Sequence, residues 1–475
     1  MKQVVVLHFS PGYHSNWVRL KCTLGDKYKL HLLALDKHRD TMPVEYRPQF
    51  ISLNFVPEFE LKSCLSAATA IAEAQHIPVQ ELLFIAKDEP SLKLAAMLRE
   101  ATGAKGVSVS EISPFINKLI MKEKVSAAGI VTPKHLYFDN QKYLKDNAKC
   151  IQEIENKLQY PLFAKKIDSA GSDDVRKITL HAELIEWCDE HADFNNYELD
   201  EFITGDLYHI DSIVQNGKII ISFISRYNRP SADLLQGYSK GSITLSENEA
   251  EYVHLQKFNN AVLHAFTPLP NGAYHHEVFI RPNGEAVFLE IAARSAGAFI
   301  PKMYEKAYGL NIEELHFMAQ LSELPPIINA VHQQNAGWIF YPPFPGIIQQ
   351  CDHPENLEVN FELFWRHGVN DSLKAPVSSA DRVLGIVLWS QNKNRLHHAY
   401  NYLEHTYKPY QLKKTEGCLG KTEDIACLSS LVHQHLNIQG CDPCTKQDLK
   451  LNRTASDDQG YLIKKIAENI LLKEP

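Results

Sequence analysis

The residues with the most specific chemical promise are His275-His276-Glu277-Val278-Phe279-Ile280 and Ala286-Val287-Phe288-Leu289-Glu290-Ile291-Ala292-Ala293-Arg294. Pro282-Asn283-Gly284 separates the two apolar runs as a hairpin turn. A hairpin sets Glu277 and Glu290 on neighbouring strands, where two inward carboxylates could share one divalent ion. Hard Mg2+ prefers carboxylate oxygens together with substrate phosphate and keeps waters elsewhere. Phe288, Leu289 and Ile291 flank Glu290, so this acid sits on a partly buried strand and needs a cation or a proton. Arg294 could clamp a carboxylate or phosphate bidentately, or form an internal pair with a glutamate. His275 and His276 could serve an attacking amine as base, since histidine titrates near neutrality, or could merely pack.

Two further segments carry compatible chemistry. In Tyr160-Pro161-Leu162-Phe163-Ala164-Lys165-Lys166-Ile167-Asp168-Ser169-Ala170-Gly171-Ser172-Asp173-Asp174-Val175 an apolar strand ends in lysine and a small-residue loop follows. Lys165 could reach a phosphate oxygen while loop N–H groups close over the others. A plain hairpin with a solvated lysine has the same pattern. In Tyr197-Glu198-Leu199-Asp200-Glu201-Phe202-Ile203-Thr204-Gly205-Asp206 acids alternate with apolar residues. This strand could stack a flat heterocycle, with Asp200 accepting from an exocyclic amine, or it could be an ordinary exposed edge. Arg226 or Arg229 could bind a second carboxylate, or be surface charge.

These groups need a scaffold, and the chain is long enough for about three lobes: 475 residues, 44% hydrophobic and 22% charged. Lys plus Arg is 49 and Asp plus Glu is 57, a net charge of -8 that argues against nucleic-acid binding. No apolar run reaches the roughly 18 residues of a membrane span. The opening Met1-Lys2-Gln3-Val4-Val5-Val6-Leu7-His8 meets Pro11-Gly12 without a cleavage site and reads as a first strand, not a signal peptide. Nine scattered cysteines do not make a disulfide framework. A cytoplasmic, soluble, multidomain protein is expected.

Strands are expected at 4–7, 30–35 and 82–86, and helices at 61–75 and 91–101, the latter capped by Ser91 and ended by Gly103. That alternation predicts a parallel α/β layer domain. A helix is expected at 122–128, then strands at 162–165, 177–180, 197–203, 208–214 and 218–224. A helix at 247–264, the hairpin strands 276–280 and 286–291, and helices at 304–310 and 311–321 follow. A third α/β section runs over 337–408, where Trp338, Tyr341 and Phe344 could line an apolar pocket or simply pack. Beyond it, Cys418, Cys427, Cys441 and Cys444 with His433 and His435 do not show standard zinc spacing, and 461–473 reads as an amphipathic helix.

Upstream stand Asn117-Lys118-Leu119-Ile120-Met121-Lys122 and Ala127-Ala128-Gly129-Ile130-Val131-Thr132-Pro133. Together and in this order the segments resemble the ATP-grasp superfamily, in its carboxylate–amine ligase branch, alongside L-amino-acid ligases and carnosine-synthase-like enzymes. The resemblance covers about 117–321 well. It implies an α/β (α+β) ATP-grasp fold: an N-terminal parallel α/β domain (1–115), a first ATP-binding subdomain with a phosphate lid (116–195), a catalytic subdomain with the metal site (196–325), a C-terminal α/β subdomain (326–410) and a cysteine-containing tail (411–475).

Carried onto this chain, the resemblance makes Lys118 and Lys165 phosphate-binding lysines and 168–174 a mobile lid, with Ser169, Gly171 and Ser172 at the nucleotide. Asp200 would contact adenine, Phe202 and Ile203 would offer it backbone contacts, and Asp206 would join the nucleotide site. Glu277 and Glu290 would bind Mg2+ (or Mn2+). Arg294, Lys165 and His276 would be catalytic. The implied activity is ATP-dependent amide formation between small-molecule substrates, amino acids, through an acyl phosphate, in an enzyme that is commonly a homodimer. Ala292 stands where many relatives have Asn, Asn117 where Asp is commoner, and the lid holds one glycine, Gly171. The alternatives are a biotin-carboxylase-like enzyme phosphorylating bicarbonate, although no biotinyl attachment sequence is present, and a nucleotide-binding module without chemistry.

Overall fold

Val4, Val5, Val6 and Leu7 form an unbroken apolar run that suits a strand covered on both faces, and all four are fully buried. Their strand, Lys2–His8, is internal to a four-stranded sheet in the order Ser52–Val56, Tyr28–Leu35, Lys2–His8, Leu83–Ala86. Every pairing is parallel, as expected. The computed structural model describes residues 1–8, 15–169, 171, 173–328 and 332–413. The cysteines and histidines of the tail, the helix at 461–473 and Ser172 lie outside the described residues.

Helices Trp17–Leu24, Leu61–Ala74 and Glu89–Thr102 complete this layer. The last begins earlier than the sequence suggests. Its cap is Asp88, whose carboxylate accepts from Ser91 N, so Ser91 lies inside the first turn. The strand Ser52–Val56 and the helix Trp17–Leu24 went unanticipated, the strand because its short, half-buried sequence Ser-Leu-Asn-Phe-Val lacks a clean pattern.

Asn117 caps the helix Lys118–Ala127, its Oδ1 accepting from Leu119 N at 3.0 Å and Ile120 N at 3.1 Å. The helix therefore includes Lys118, a turn before the expected start. A second four-stranded sheet follows in the order His135–Tyr137, Tyr197–Glu201, Leu162–Lys166, Arg176–Ile178. The strand expected at 177–180 is cut short because Leu180 caps a helix, His181–Glu190, that buries Leu184, Trp187 and Cys188.

The largest sheet has eight strands, in the order Ala286–Ala292, Gly272–Ile280, Asp206–Gln215, Lys218–Tyr227, Lys240–Thr244, Asn335–Tyr341, Leu384–Ser390, Asn360–Trp365. Neighbours are antiparallel throughout. The sheet joins strands from both sides of position 325, so the third α/β section extends the sheet that holds Glu277 and Glu290. Trp338 and Tyr341 are buried in its packing. One face of the sheet packs on the helix Ala250–Ala265, and the other on Ile300–Tyr308 and Ile312–Gln320.

Candidate active site

Side chains alternate along a strand, so Ala273, His275, Glu277 and Phe279 of Gly272–Ile280 share one face. Glu277 lies directly opposite Glu290 in the antiparallel register. The register then slips by one, pairing Val278 with Phe288 and leaving Leu289 extra. This bulge turns both Leu289 and Glu290 toward the same cavity, since an inserted residue breaks strict alternation.

That cavity has a volume of about 890 Å³. Phe163, Phe202, Ile203, Leu207 and Phe279 give it apolar walls, and Lys118, Lys165, Lys240, Glu277, Glu290 and Arg294 give it charged ones. The Glu290 side chain is 34% exposed and faces Lys118 Nζ at 3.9 Å, so its oxygens remain open to the cavity. Glu277 is buried, with His275 Nε2 at 3.5 Å and the Tyr227 hydroxyl near its carboxylate. Burial would raise its pKa, but His275, Lys240 and Tyr227 outweigh that and hold it down to about 2. It is charged at neutral pH. Two oxygen-donor carboxylates facing each other suit a hard divalent cation better than a soft one.

His275 belongs to a buried network. Its Nδ1 lies 2.7 Å from Asp211 Oδ1, and Asp211 Oδ2 accepts from Tyr304 at 2.7 Å and faces His209 Nδ1 at 2.7 Å. Burial opposes a charge on His275, yet Asp211 and Glu277 raise its pKa to about 9. His209, Asp211 and His275 could in geometry hold a metal, but both Nδ1 atoms are already bonded to Asp211 and His209 Nε2 to Ser242. The network reaches Glu277 through His275 Nε2.

Arg294 donates from Nε to Glu89 Oε1 at 2.9 Å and from Nη1 to Ser295 O at 3.0 Å. Lys118 donates to Ser169 O, and its backbone N to Ile167 O at 2.8 Å, tying it to the root of the 168–174 loop. Gly171 holds φ 71°, a left-handed value that favours glycine, and its carbonyl accepts from Ser379 N at 3.1 Å.

Comparisons with known proteins bear on this geometry. The chain is 24% identical over 350 residues to the L-arginine-specific L-amino acid ligase of Bacillus subtilis, covering 68% of this chain and 78% of that protein. It superposes on the L-amino acid ligase of Bacillus licheniformis with a TM-score of 0.67 at 16% identity, over 88% of this chain and 99% of that one. For carboxyaminoimidazole ribonucleotide synthase of Aspergillus clavatus, solved with ATP, the values are 0.60, 14%, 85% and 96%. No family model matches. The chain has the ATP-grasp fold.

Within this fold the expected residues that the structure describes divide into two groups. Lys118, Lys165, Ser169, Gly171, Asp200, Phe202, Ile203, Glu277, Glu290 and Arg294 all line the cavity. Asp200, however, is buried with Oδ2 2.9 Å from Lys165 Nζ and Oδ1 accepting from Lys122, so the structure makes it a counter-ion to two lysines instead of a reader of a base edge. Phe202 N–H is engaged by Pro161 O at 3.2 Å.

Two expected residues lie elsewhere. His276 faces the opposite side of its strand, with Nδ1 2.9 Å from Asn259 Oδ1 and its ring between Phe258 and Phe288. Burial pushes its pKa down to about 3, so it is a neutral packing residue. His275, its neighbour, takes the place at the cavity. Asp206 is exposed and pairs with Arg226 at 3.0 Å, both outside the cavity lining, whereas Arg229 lines the cavity with its guanidinium paired to Glu404 at 2.9 Å.

The sequence reading passes over Glu89, Tyr227, Lys240 and Ser379. Lys240 is buried at the cavity wall, where burial lowers its pKa to about 8 against the pull of Glu277. Lys240 opens the strand Lys240–Thr244, whose sequence Lys-Gly-Ser-Ile-Thr has nothing local to set it apart. Glu89 carried no signal either. Among the described residues no helix is long and apolar enough to cross a membrane.

Proposed function

We propose that this protein is an ATP-dependent carboxylate–amine ligase that joins amino acids and releases ADP and phosphate. The observation that carries the reading is the register of Glu277 opposite Glu290 beside Lys118, Lys165 and Arg294 in one cavity. A carboxylate is a poor electrophile, and phosphorylating it replaces the oxide with a good leaving group. The cavity, about 890 Å³, is large enough for a nucleotide; its apolar walls suit a base, and its lysines and arginine suit phosphates and an anionic substrate.

In this reading Lys118 and Lys165 neutralise phosphate oxygens, and Arg294, oriented by Glu89, holds the substrate carboxylate where it meets the transferring phosphoryl group. Glu277 and Glu290 would hold Mg2+, or Mn2+, which supplies charge neutralisation for the phosphates. His275 keeps Glu277 ionised and oriented. The carboxylate oxygen takes the terminal phosphoryl group of ATP, with ADP leaving. The amine then attacks the acyl carbon, and phosphate departs as the amide forms. The loop at Gly171, whose carbonyl accepts from Ser379 N, excludes the water that would hydrolyse the acyl phosphate.

The name of the Bacillus subtilis relative makes L-arginine the first amino acid to test. Five unpaired cysteines among the described residues suit a reducing, cytoplasmic setting. Assembly as a homodimer is part of the same reading and is measured by sedimentation. The deciding experiment follows phosphate release from ATP and Mg2+ across all pairs of the twenty amino acids, with mass detection of the coupled product and a Glu290→Ala control. Amino-acid-dependent phosphate and product, both lost in the control, are expected. Phosphate release that ignores amino acids, or no coupled product from any pair, overturns the reading.

A further inference from the structure

One buried group lies beneath the cavity without a part in the chemistry above. Lys122 is fully buried, one helical turn beyond Lys118 on the helix Lys118–Ala127. Its Nζ donates to Glu198 Oε1 at 2.9 Å and to Asp200 Oδ1. Those acids sit two apart on Tyr197–Glu201 and so share a face, and Lys165 stands opposite Glu198 on the adjoining strand. Lys165 Nζ reaches the same two carboxylates at 2.9 Å (Asp200) and 3.5 Å (Glu198). Two ammonium groups therefore face two carboxylates, and the set is neutral.

Stability does not account for this arrangement. Four charges taken out of water lose hydration that their mutual attraction roughly repays, and apolar side chains of similar volume would serve as well or better. The set is also incompletely satisfied, since Glu198 Oε2 is buried without a hydrogen-bond partner among the described residues. The asymmetry between the lysines is what matters. Lys165 lines the cavity, whereas Lys122 does not. If Lys165 alone faced two buried carboxylates, its charge would be committed to them, and the charged residues around the cavity would lose one positive charge.

We propose that Lys122 is a positioning residue that neutralises Glu198 and Asp200 from beneath, leaving the charge of Lys165 available to the phosphates of a nucleotide. The assignment rests on reading the cavity as an ATP site. Lys122 touches neither nucleotide nor substrate; it acts through Asp200 and Lys165.

The test is equilibrium binding of Mg2+·ATP to the full chain by calorimetry, with the fold of each variant checked by circular dichroism. Lys122→Met is expected to weaken ATP binding by about tenfold or more, the scale of an uncompensated charge near a phosphate site. Lys122→Arg keeps the charge and is expected to keep most of the affinity. The double variant Lys122→Met with Asp200→Asn restores neutrality, and it is expected to recover affinity that a merely structural lysine would not give back. Wild-type affinity in Lys122→Met, or a double variant no better than the single, overturns the proposal. If Lys122→Met does not fold, the double variant decides: folded with restored binding supports the proposal, and folded without it, or unfolded, overturns it. A wild-type chain that takes up no ATP fails the reading of the cavity itself, and the proposal falls with it.

Discussion

Glu89 Oε1 accepts a hydrogen bond from Arg294 Nε at 2.9 Å across 205 residues of sequence. Glu89 opens the helix Glu89–Thr102 of the parallel layer, whereas Arg294 follows the edge strand Ala286–Ala292 of the large sheet. Both side chains are 18% exposed, too little for water to compete freely for the pair, and of the two Arg294 lines the cavity. The N-terminal layer thus reaches the site through Arg294.

Cutting that contact should be felt by the carboxylate substrate. Glu89→Ala leaves Arg294 without its orienting acceptor, and a hydrogen bond to a charged group contributes about 1.5–3 kcal/mol. We expect kcat/KM for the carboxylate substrate to fall roughly tenfold to a hundredfold, with KM for ATP nearly unchanged. Steady-state kinetics with each substrate varied in turn makes the measurement. An unchanged KM and kcat for the carboxylate would show that Arg294 needs no help from the layer.

His275 and His276 should separate cleanly on substitution, because adjacent strand residues face opposite ways. His275→Gln loosens Glu277 and is expected to raise the Mg2+ concentration needed for half-maximal activity. His276→Leu removes the Asn259 contact on the helix side and is expected to lower Tm while leaving the Mg2+ dependence alone. Metal titration and thermal melts of both variants check this. The reverse pattern would place the working histidine on the wrong face.

This pair also shows how much the sequence held. Glu277, Glu290 and Arg294 were legible because acids and an arginine interrupt apolar strands flanking a hairpin turn, a pattern that packing alone does not require. The parity that puts His275 beside Glu277 was legible too, since residues two apart share a face; choosing His276 set that rule aside. The bulge at Leu289 was not, because nothing local distinguishes an inserted apolar residue from a regular one. Glu89 and Ser379 reach the cavity region from distant segments whose local sequence is that of an ordinary helix start and loop. Their contribution comes from tertiary packing. Asp200 was singled out as an acid in the right strand, but its partner Lys122 sits on another element, and only the fold joins them.

The contact between Gly171 and Ser379 predicts what a stiffened lid would do. Gly171 has φ 71°, where a Cβ adds strain, and an alanine there would approach Ser378 Oγ at about 3.6 Å. Gly171→Ala is expected to weaken the Gly171–Ser379 hydrogen bond and let water reach the acyl phosphate. More phosphate should then be released per amide formed, with ligation slower. Parallel assays of phosphate and product give the ratio; a ratio equal to that of the wild type would separate lid closure from this contact.

Acid should destabilise the fold before its carboxylates protonate, through buried neutral histidines. His316 accepts from Ala273 N at 2.8 Å through Nδ1 and meets Ala86 O at 2.8 Å through Nε2, an arrangement that needs the neutral ring. Burial pushes its pKa down to about 4 and that of His276 down to about 3. In the unfolded chain both titrate near about 6.5. Between those values the unfolded state binds more protons, so stability rises with pH there. Their contribution is complete above about pH 6.5 and is lost progressively as pH falls toward about 4. His275 works in the opposite sense: its pKa is raised to about 9, so its contribution is complete below about pH 6.5 and declines only as pH rises through about 9. Thermal melts from about pH 7 down to about pH 5 should therefore show a steadily falling Tm. His316→Gln should start lower and fall less steeply over that range. A wild-type Tm that stays flat until carboxylates titrate would mean that these rings admit protons in the folded state.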